Sequence, residues 1–106
     1  MKPRVKLPES IKTGEVIEIK TLISHPMETG LRKDKDGNAV PRNIIHTFAA
    51  TFDGKPVFRA SLRPGISANP FVSFTLRVPG TGELVLTWTD DAGQSVTEKV
   101  PVTAVG

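Results

Sequence analysis

Three side chains in this sequence are of the kind that hold soft metal ions: His25, Met27 and His46. Imidazole and thioether together suit copper, so one reading is a periplasmic copper-binding protein in which these three converge. Three ligands from separate segments make a sparse set, however, and His46 falls on the apolar side of a strand pattern, where a packed, hydrogen-bonded imidazole is commoner. His25, just ahead of Pro26, reads as a strand-end residue. Asp34, Asp36 and Asn38 are spaced like the opening of a calcium loop, but Ala39 stands where that loop needs glycine and Ile45 where it needs its closing carboxylate. The segment reads as a charged turn. Gly65-Ile66-Ser67-Ala68-Asn69 begins like a nucleophile elbow and lacks both the final glycine and a following helix. The 11 carboxylates lie mostly in turns or on polar strand faces, outside the apolar runs that would raise one to a general acid's pKa. With no cysteine, the chain can form no disulfide, thiolate metal site, cysteine nucleophile or persulfide. These residues predict no catalytic site, cofactor or metal, and they leave partner binding as the function.

The class of partner is narrowed by charge. A net charge of +3 arises from cations scattered among acids, a weak preference for acidic surfaces only. Nucleic-acid binding would call for clustered cations and exposed aromatic platforms, yet there is no Tyr, and Phe48, Phe52, Phe74 and Trp88 fall at inward-facing positions. No apolar run reaches membrane-spanning length. The residues Met1 to Pro8 are basic without a following apolar stretch, so the chain is expected not to direct its own export.

The elements that would position such a surface are strands. Nine Gly and nine Pro in 106 residues punctuate the chain too often for long helices. In Glu15 to Ile23, Ile17, Ile19, Thr21 and Ile23 share one face, and period-two runs follow at Ile44 to Asp53, Lys55 to Leu62, Phe71 to Val78, Glu83 to Thr89 and Gln94 to Ala104. Asp53-Gly54 and Asp90-Asp91-Ala92-Gly93 read as hairpin turns. With a short edge strand near Arg4 to Leu7, about seven strands predict a single domain over residues 1 to 106, an all-β, immunoglobulin-like antiparallel sandwich. The stretch Glu28 to Arg42 breaks the rhythm. Loops beyond about 12 to 15 residues in compact domains tend to be functional or disordered, although Asp36-Gly37 could close a small charged hairpin within this one.

His25-Pro26-Met27-Glu28-Thr29-Gly30, Arg32-Lys33-Asp34 and Pro41-Arg42-Asn43-Ile44-Ile45, followed by Gly65-Ile66-Ser67-Ala68-Asn69-Pro70-Phe71, resemble the SoxZ family of sulfur-oxidation proteins in the family's order. The resemblance spans essentially the whole chain. It implies a non-catalytic subunit of the SoxYZ heterodimer of thiosulfate oxidation, in which SoxY bears sulfur intermediates on a cysteine of its Gly-rich C-terminal arm and other Sox enzymes act on the complex. It also implies a periplasmic location reached by co-export with SoxY, whose signal serves both. For the partner surface we single out Met27, Leu31, Arg32, Arg42, Ile45 and Thr47: apolar and basic groups of the irregular loop, and the less bulky side of the adjoining strand, which also holds Ala49. A surface made for a sandwich partner could also form a homodimer when the chain is isolated. The alternative within the binding class is a generic sandwich module.

Overall fold

A pleated ribbon gathers its apolar groups on one side only where they recur at every second residue, and this chain is built from such segments. The computed structural model describes every residue except Met1, Pro26, Thr29, Arg32 and 63–68. Among the described residues there are seven strands: β1 (Pro3–Lys6), β2 (Val16–Ile23), β3 (Ile45–Phe52), β4 (Lys55–Ser61), β5 (Phe71–Arg77), β6 (Gly82–Asp90) and β7 (Ser95–Val102). They pair in antiparallel fashion into two sheets, ordered β1-β2-β5 and β4-β3-β6-β7, as the expected immunoglobulin-like sandwich requires.

The inner faces meet in one core. Ile17, Ile19 and Ile23 of β2 and Phe74 and Leu76 of β5 lie under Phe48, Ala50, Leu84, Leu86 and Trp88 of the other sheet. Phe48 is its centre: its ring lies 5.2 Å from that of Trp88, 6.0 Å from Phe58 and 5.9 Å from Phe74 on the opposite sheet. Phe58 and Phe74 stack at 4.8 Å, so the aromatic contacts bridge the layers twice. Thr21, a polar residue on the buried side of β2, donates its hydroxyl proton to the Val72 carbonyl at 2.7 Å and so costs the core little.

The turns are set by residues that tolerate left-handed backbone. Asp53 and Gly54, with φ of 49° and 83°, form the two-residue loop between β3 and β4. The Asp53 carboxylate then accepts the Glu83 N–H at 2.8 Å, drawing the start of β6 against the hairpin. That approach demands Gly82, since a Cβ there would lie 2.6 Å from Phe52 Cζ and 2.5 Å from Asp53 Oδ2. The irregular stretch resolves into a small charged hairpin, with Glu28 paired to Asn43 and Lys33 to Ala39. Asp34 Oδ1, the first of the calcium-like oxygens, accepts the N–H groups of Asp36 and Asn38 and serves as the acceptor of the turn.

Two strands break the alternation, β4 at Val57, where Phe58 pairs with Ala50 but Pro56 with Thr51, and β3 near its start. Ile45 pairs with Asp90 but Thr47 with Thr89, so His46 is an extra residue in β3, a β-bulge. The bulge changes the parity of the strand: Ile44 and Ile45 are both fully buried, whereas His46 is half-buried and hydrogen-bonded through Nδ1 to Thr47 Oγ1 at 2.7 Å. The expectation that Ile45 shares the open face with Thr47 is thereby corrected.

Because Phe48 touches three other rings across both layers, Phe48→Ala is expected to destabilise the fold by about 3–5 kcal/mol, measured by urea unfolding. A cost below about 1 kcal/mol would show that the aromatic cluster is not the centre of the core.

Candidate partner interface

Each sheet has an outer face, and that of the four-stranded sheet is nearly uncharged. Its central strands present Thr47, Ala49 and Thr51 from β3 and Val85, Thr87 and Thr89 from β6, in register as the rows Thr47–Thr89, Ala49–Thr87 and Thr51–Val85. Charge enters at the margins, with Arg59 of β4 beside Ala49, Lys99 of β7 beside Val85 and Glu83 at the start of β6. Small β-branched side chains make this face flat. Three of its hydroxyls are already engaged within the chain, Thr87 with Thr97 at 3.4 Å, Thr89 with Ser95 at 3.2 Å and Thr47 with His46 at 2.7 Å, so a partner could cover these at little polar cost. An uncharged centre with charges at the rim is the usual anatomy of a protein interface.

A buried polar cluster holds one end of this face. The inward side of β2 continues past Ile23 to His25, and that of β6 past Trp88 to Asp90, and the two side chains meet with 3.2 Å between Nε2 and Oδ2, both almost wholly enclosed. Met27 N–H donates to His25 Nδ1 at 2.9 Å, so that nitrogen carries no proton, and Nε2–H donates to the Asp90 carboxylate. The other Asp90 oxygen accepts the Gln94 N–H at 2.9 Å, and Asn69 Oδ1 accepts the His25 N–H at 2.9 Å. Met27, at a φ of 52°, buries its thioether against the start of β3, where the sulfur accepts the Ile45 N–H at 3.3 Å. Asp90 also revises the expectation that the carboxylates are solvated, for it is 1% exposed.

Outside this cluster the β6–β7 turn is clipped to the chain leading into β3. Asp91 accepts from Arg42 Nε at 2.9 Å and from the Ile44 N–H at 3.2 Å, and Asn43 Oδ1 accepts the Ala92 N–H at 3.2 Å. The Arg42 hydrogen bond, helped by the Ile44 N–H, holds the Asp91 carboxyl below its usual range against a smaller opposing effect of burial.

The residues singled out from the sequence thus separate. Thr47 lies in the uncharged face, Arg42 is exposed at its end, and Leu31 is 88% exposed on the charged hairpin. Met27 and Ile45 are 4% and 0% exposed and support the surface from beneath. Arg32 lies outside the described residues, as does Ser67 of the elbow-like stretch. Thr51, Val85, Thr87 and Thr89 were missed, since each belongs to the face only through strand order. Of the donors considered for copper, both His25 ring nitrogens and the Met27 sulfur are in internal hydrogen bonds, and one His46 ring nitrogen, Nδ1, is bonded to Thr47.

The model of the family described as sulphur oxidation protein SoxZ matches residues 5–101. The chain belongs to the SoxZ family. Membership assigns it to Sox sulfur oxidation, in a family of carrier-complex subunits. No curated protein matches it in sequence. Its fold is similar to that of a superoxide reductase (neelaredoxin) from Ignicoccus hospitalis, with a TM-score of 0.77 and 18% identity over 99% of this chain and 81% of that one. It is also similar to the sulfur carrier protein SoxY from Chlorobium limicola f thiosulfatophilum, with a TM-score of 0.70 and 16% identity over 99% of this chain and 80% of that one. A putative superoxide reductase from Thermotoga maritima gives 0.74 and 15%, over 98% and 86%. At these identities the likeness concerns the sandwich alone.

Two outcomes follow from the cluster and its clip. Asp90→Ala, which strands the buried His25 Nε2–H and removes the acceptor of the Gln94 N–H, is expected to cost about 2–3 kcal/mol in urea unfolding, with His25→Ala/Asp90→Ala costing less than the sum of the single changes. The exposed Arg42–Asp91 pair is worth at most about 1 kcal/mol at neutral pH. Because the folded Asp91 carboxyl is the more acidic, that contribution is complete above the ordinary Asp value and is lost as pH falls below about 4, so the stability gap between wild type and Arg42→Ala should close in acid. A gap that widens in acid would contradict the assignment.

Proposed function

We propose that this chain is the non-catalytic subunit of a SoxYZ carrier complex and holds SoxY on the outer face of its four-stranded sheet. The observation that carries the reading is the uncharged patch of Thr47, Ala49, Thr51, Val85, Thr87 and Thr89, with the Thr87 and Thr89 hydroxyls paired laterally to β7, in a chain whose family acts in sulfur oxidation. Four strands about 4.8 Å apart and six residues at about 3.4 Å give the whole outer face roughly 400 Å² in plan, of which the patch on the two central strands is about half. A standard interface takes about 800 Å² per partner, so the loop end with Leu31 and Arg42 supplies the remainder. Main-chain and side-chain complementarity between two sandwiches suits this geometry, since the SoxY of Chlorobium limicola shares the fold.

In this reading the absent cysteine assigns the covalent chemistry to SoxY, which binds sulfur on its own thiol while this chain presents it to the other Sox enzymes. The location is the periplasm, reached by co-export with SoxY. Co-expression with a SoxY subunit tests the interface: Ala49→Glu and Thr87→Lys, each placing a charge at the centre of the patch, are expected to weaken co-purification at least thirtyfold while leaving the urea midpoint of the isolated chain nearly unchanged. Undiminished co-purification would remove this face from the interface. Intact-mass analysis after turnover should find sulfur adducts on SoxY alone.

A further inference from the structure

The opposite face of the sandwich has a different character. On the outer side of the three-stranded sheet the register lines up Arg4, Leu22 and Phe71 in one row and Lys6, Lys20 and Ser73 in the next. Lys6 and Lys20 are therefore direct cross-strand neighbours, a like-charge pairing that destabilises a sheet. Glu18 reaches Lys20 at 3.5 Å, but among the described residues neither Arg4 nor Lys6 has a carboxylate partner. Beside these cations two large apolar side chains stand in solvent as opposed neighbours, Leu22 at 39% and Phe71 at 59% exposure. The surface between them is concave: a depression of about 270 Å³ is bounded by Arg4, Lys6, Lys20, Leu22 and Phe71, and a second of about 250 Å³ adjoins it at Lys2, Arg4 and Leu22.

We propose that this face is a second docking surface, for an acidic protein surface that seats an apolar side chain between Arg4, Leu22 and Phe71. Charge decides the occupant. A second copy of the chain related by a twofold axis would set the same cations against one another, so the face is not self-complementary. An acidic partner would relieve the Lys6–Lys20 repulsion and meet the unpaired Arg4 and Lys6, while Leu22 and Phe71 supply the apolar centre that a purely electrostatic contact lacks. The two outer faces are separated by the full thickness of the sandwich, with sheets about 10 Å apart, so both can be occupied at once. The inference goes beyond the SoxY reading and does not depend on it.

The test uses the full ¹⁵N-labelled chain titrated with a synthetic pentapeptide of four acidic residues around a central leucine. Amide shifts confined to β1, β2 and the start of β5 are expected. Affinity should fall at least tenfold in the Lys6→Glu/Lys20→Glu variant, at least threefold in Phe71→Ser or when serine replaces the peptide's leucine, and markedly between 50 and 300 mM salt. Ala49→Glu, on the opposite face, should leave binding unchanged, which separates this proposal from the SoxY interface. Absent binding, shifts centred elsewhere, or indifference to both Phe71 and the peptide's leucine would overturn it. So would tighter binding, dependent on Lys6 and Lys20, to a single-stranded 12-mer DNA or to vesicles with 30% phosphatidylglycerol, which would give the face to a nucleic acid or a membrane.

Discussion

The hydrogen bond between His25 and Asp90 joins residues 65 positions apart and closes the end of the sandwich where the partner surface and the irregular hairpin meet. His25 lies two residues beyond the end of β2 in the three-stranded sheet, and Asp90 is the last residue of β6 in the four-stranded sheet. Enclosure removes water as an alternative partner, so each group must be satisfied within the protein, and each is: the imidazole by Met27 N–H and the Asp90 carboxylate, the carboxylate by the imidazole and Gln94 N–H. The same cluster reaches the start of β3 through the Met27 sulfur and the Ile45 N–H. The bulge at His46, which sets the side from which Thr47 and its neighbours project, is thus adjacent to the most constrained polar contact in the chain.

From that closure two outer faces follow, and their difference is a matter of side-chain type. Both sheets must turn their apolar side inward, which leaves every second residue free to vary. On β3 and on β6 beyond Glu83 those free positions are Thr, Ala and Val, whereas on β1 and β2 they include Arg4, Lys6, Glu18 and Lys20 beside Val16 and Leu22. Solubility alone would favour charge on both faces. A sheet face from which charge is missing at six central positions, beside one on which lysines oppose each other, points to separate contacts for the two sides.

Much of this architecture is legible in the sequence. Strands stand out because Ile17, Ile19, Thr21 and Ile23, or Leu84, Leu86 and Trp88, recur at period two, and turns because Asp53-Gly54 and Gly93 mark left-handed backbone. His25 and Asp90 are legible as well once the alternation is carried two residues beyond the last apolar position, a step their polar character discourages. The bulge is not: Ile44-Ile45-His46 has no residue demanding an extra unit of chain, and the irregularity is imposed by the pairing of Ile45 with Asp90 and by the clip of Asp91 onto Ile44. That single displacement is why Ile45 turned out to belong to the core. The uncharged face was hidden for a related reason, since the sequence reveals the polar side of each strand but not which strands lie side by side.

The lack of cysteine acquires its meaning from these surfaces. In a carrier complex that keeps its substrate on one thiol, a second thiol nearby would compete for the sulfur or form a disulfide with the first. In the proposed arrangement a cysteine-free subunit avoids both reactions, and the sandwich offers surface for contact because the core consumes one side of each sheet and leaves the other outward. In the proposed arrangement, the flat uncharged face holds the thiol-bearing subunit for long periods, because burying paired hydroxyls and small apolar groups makes a slow-dissociating contact. The basic face suits short-lived ones, because charge speeds encounter more than it strengthens the bound state. In that arrangement, a carrier that stays with one partner and leaves every other uses both kinds of surface, set back to back on one sandwich.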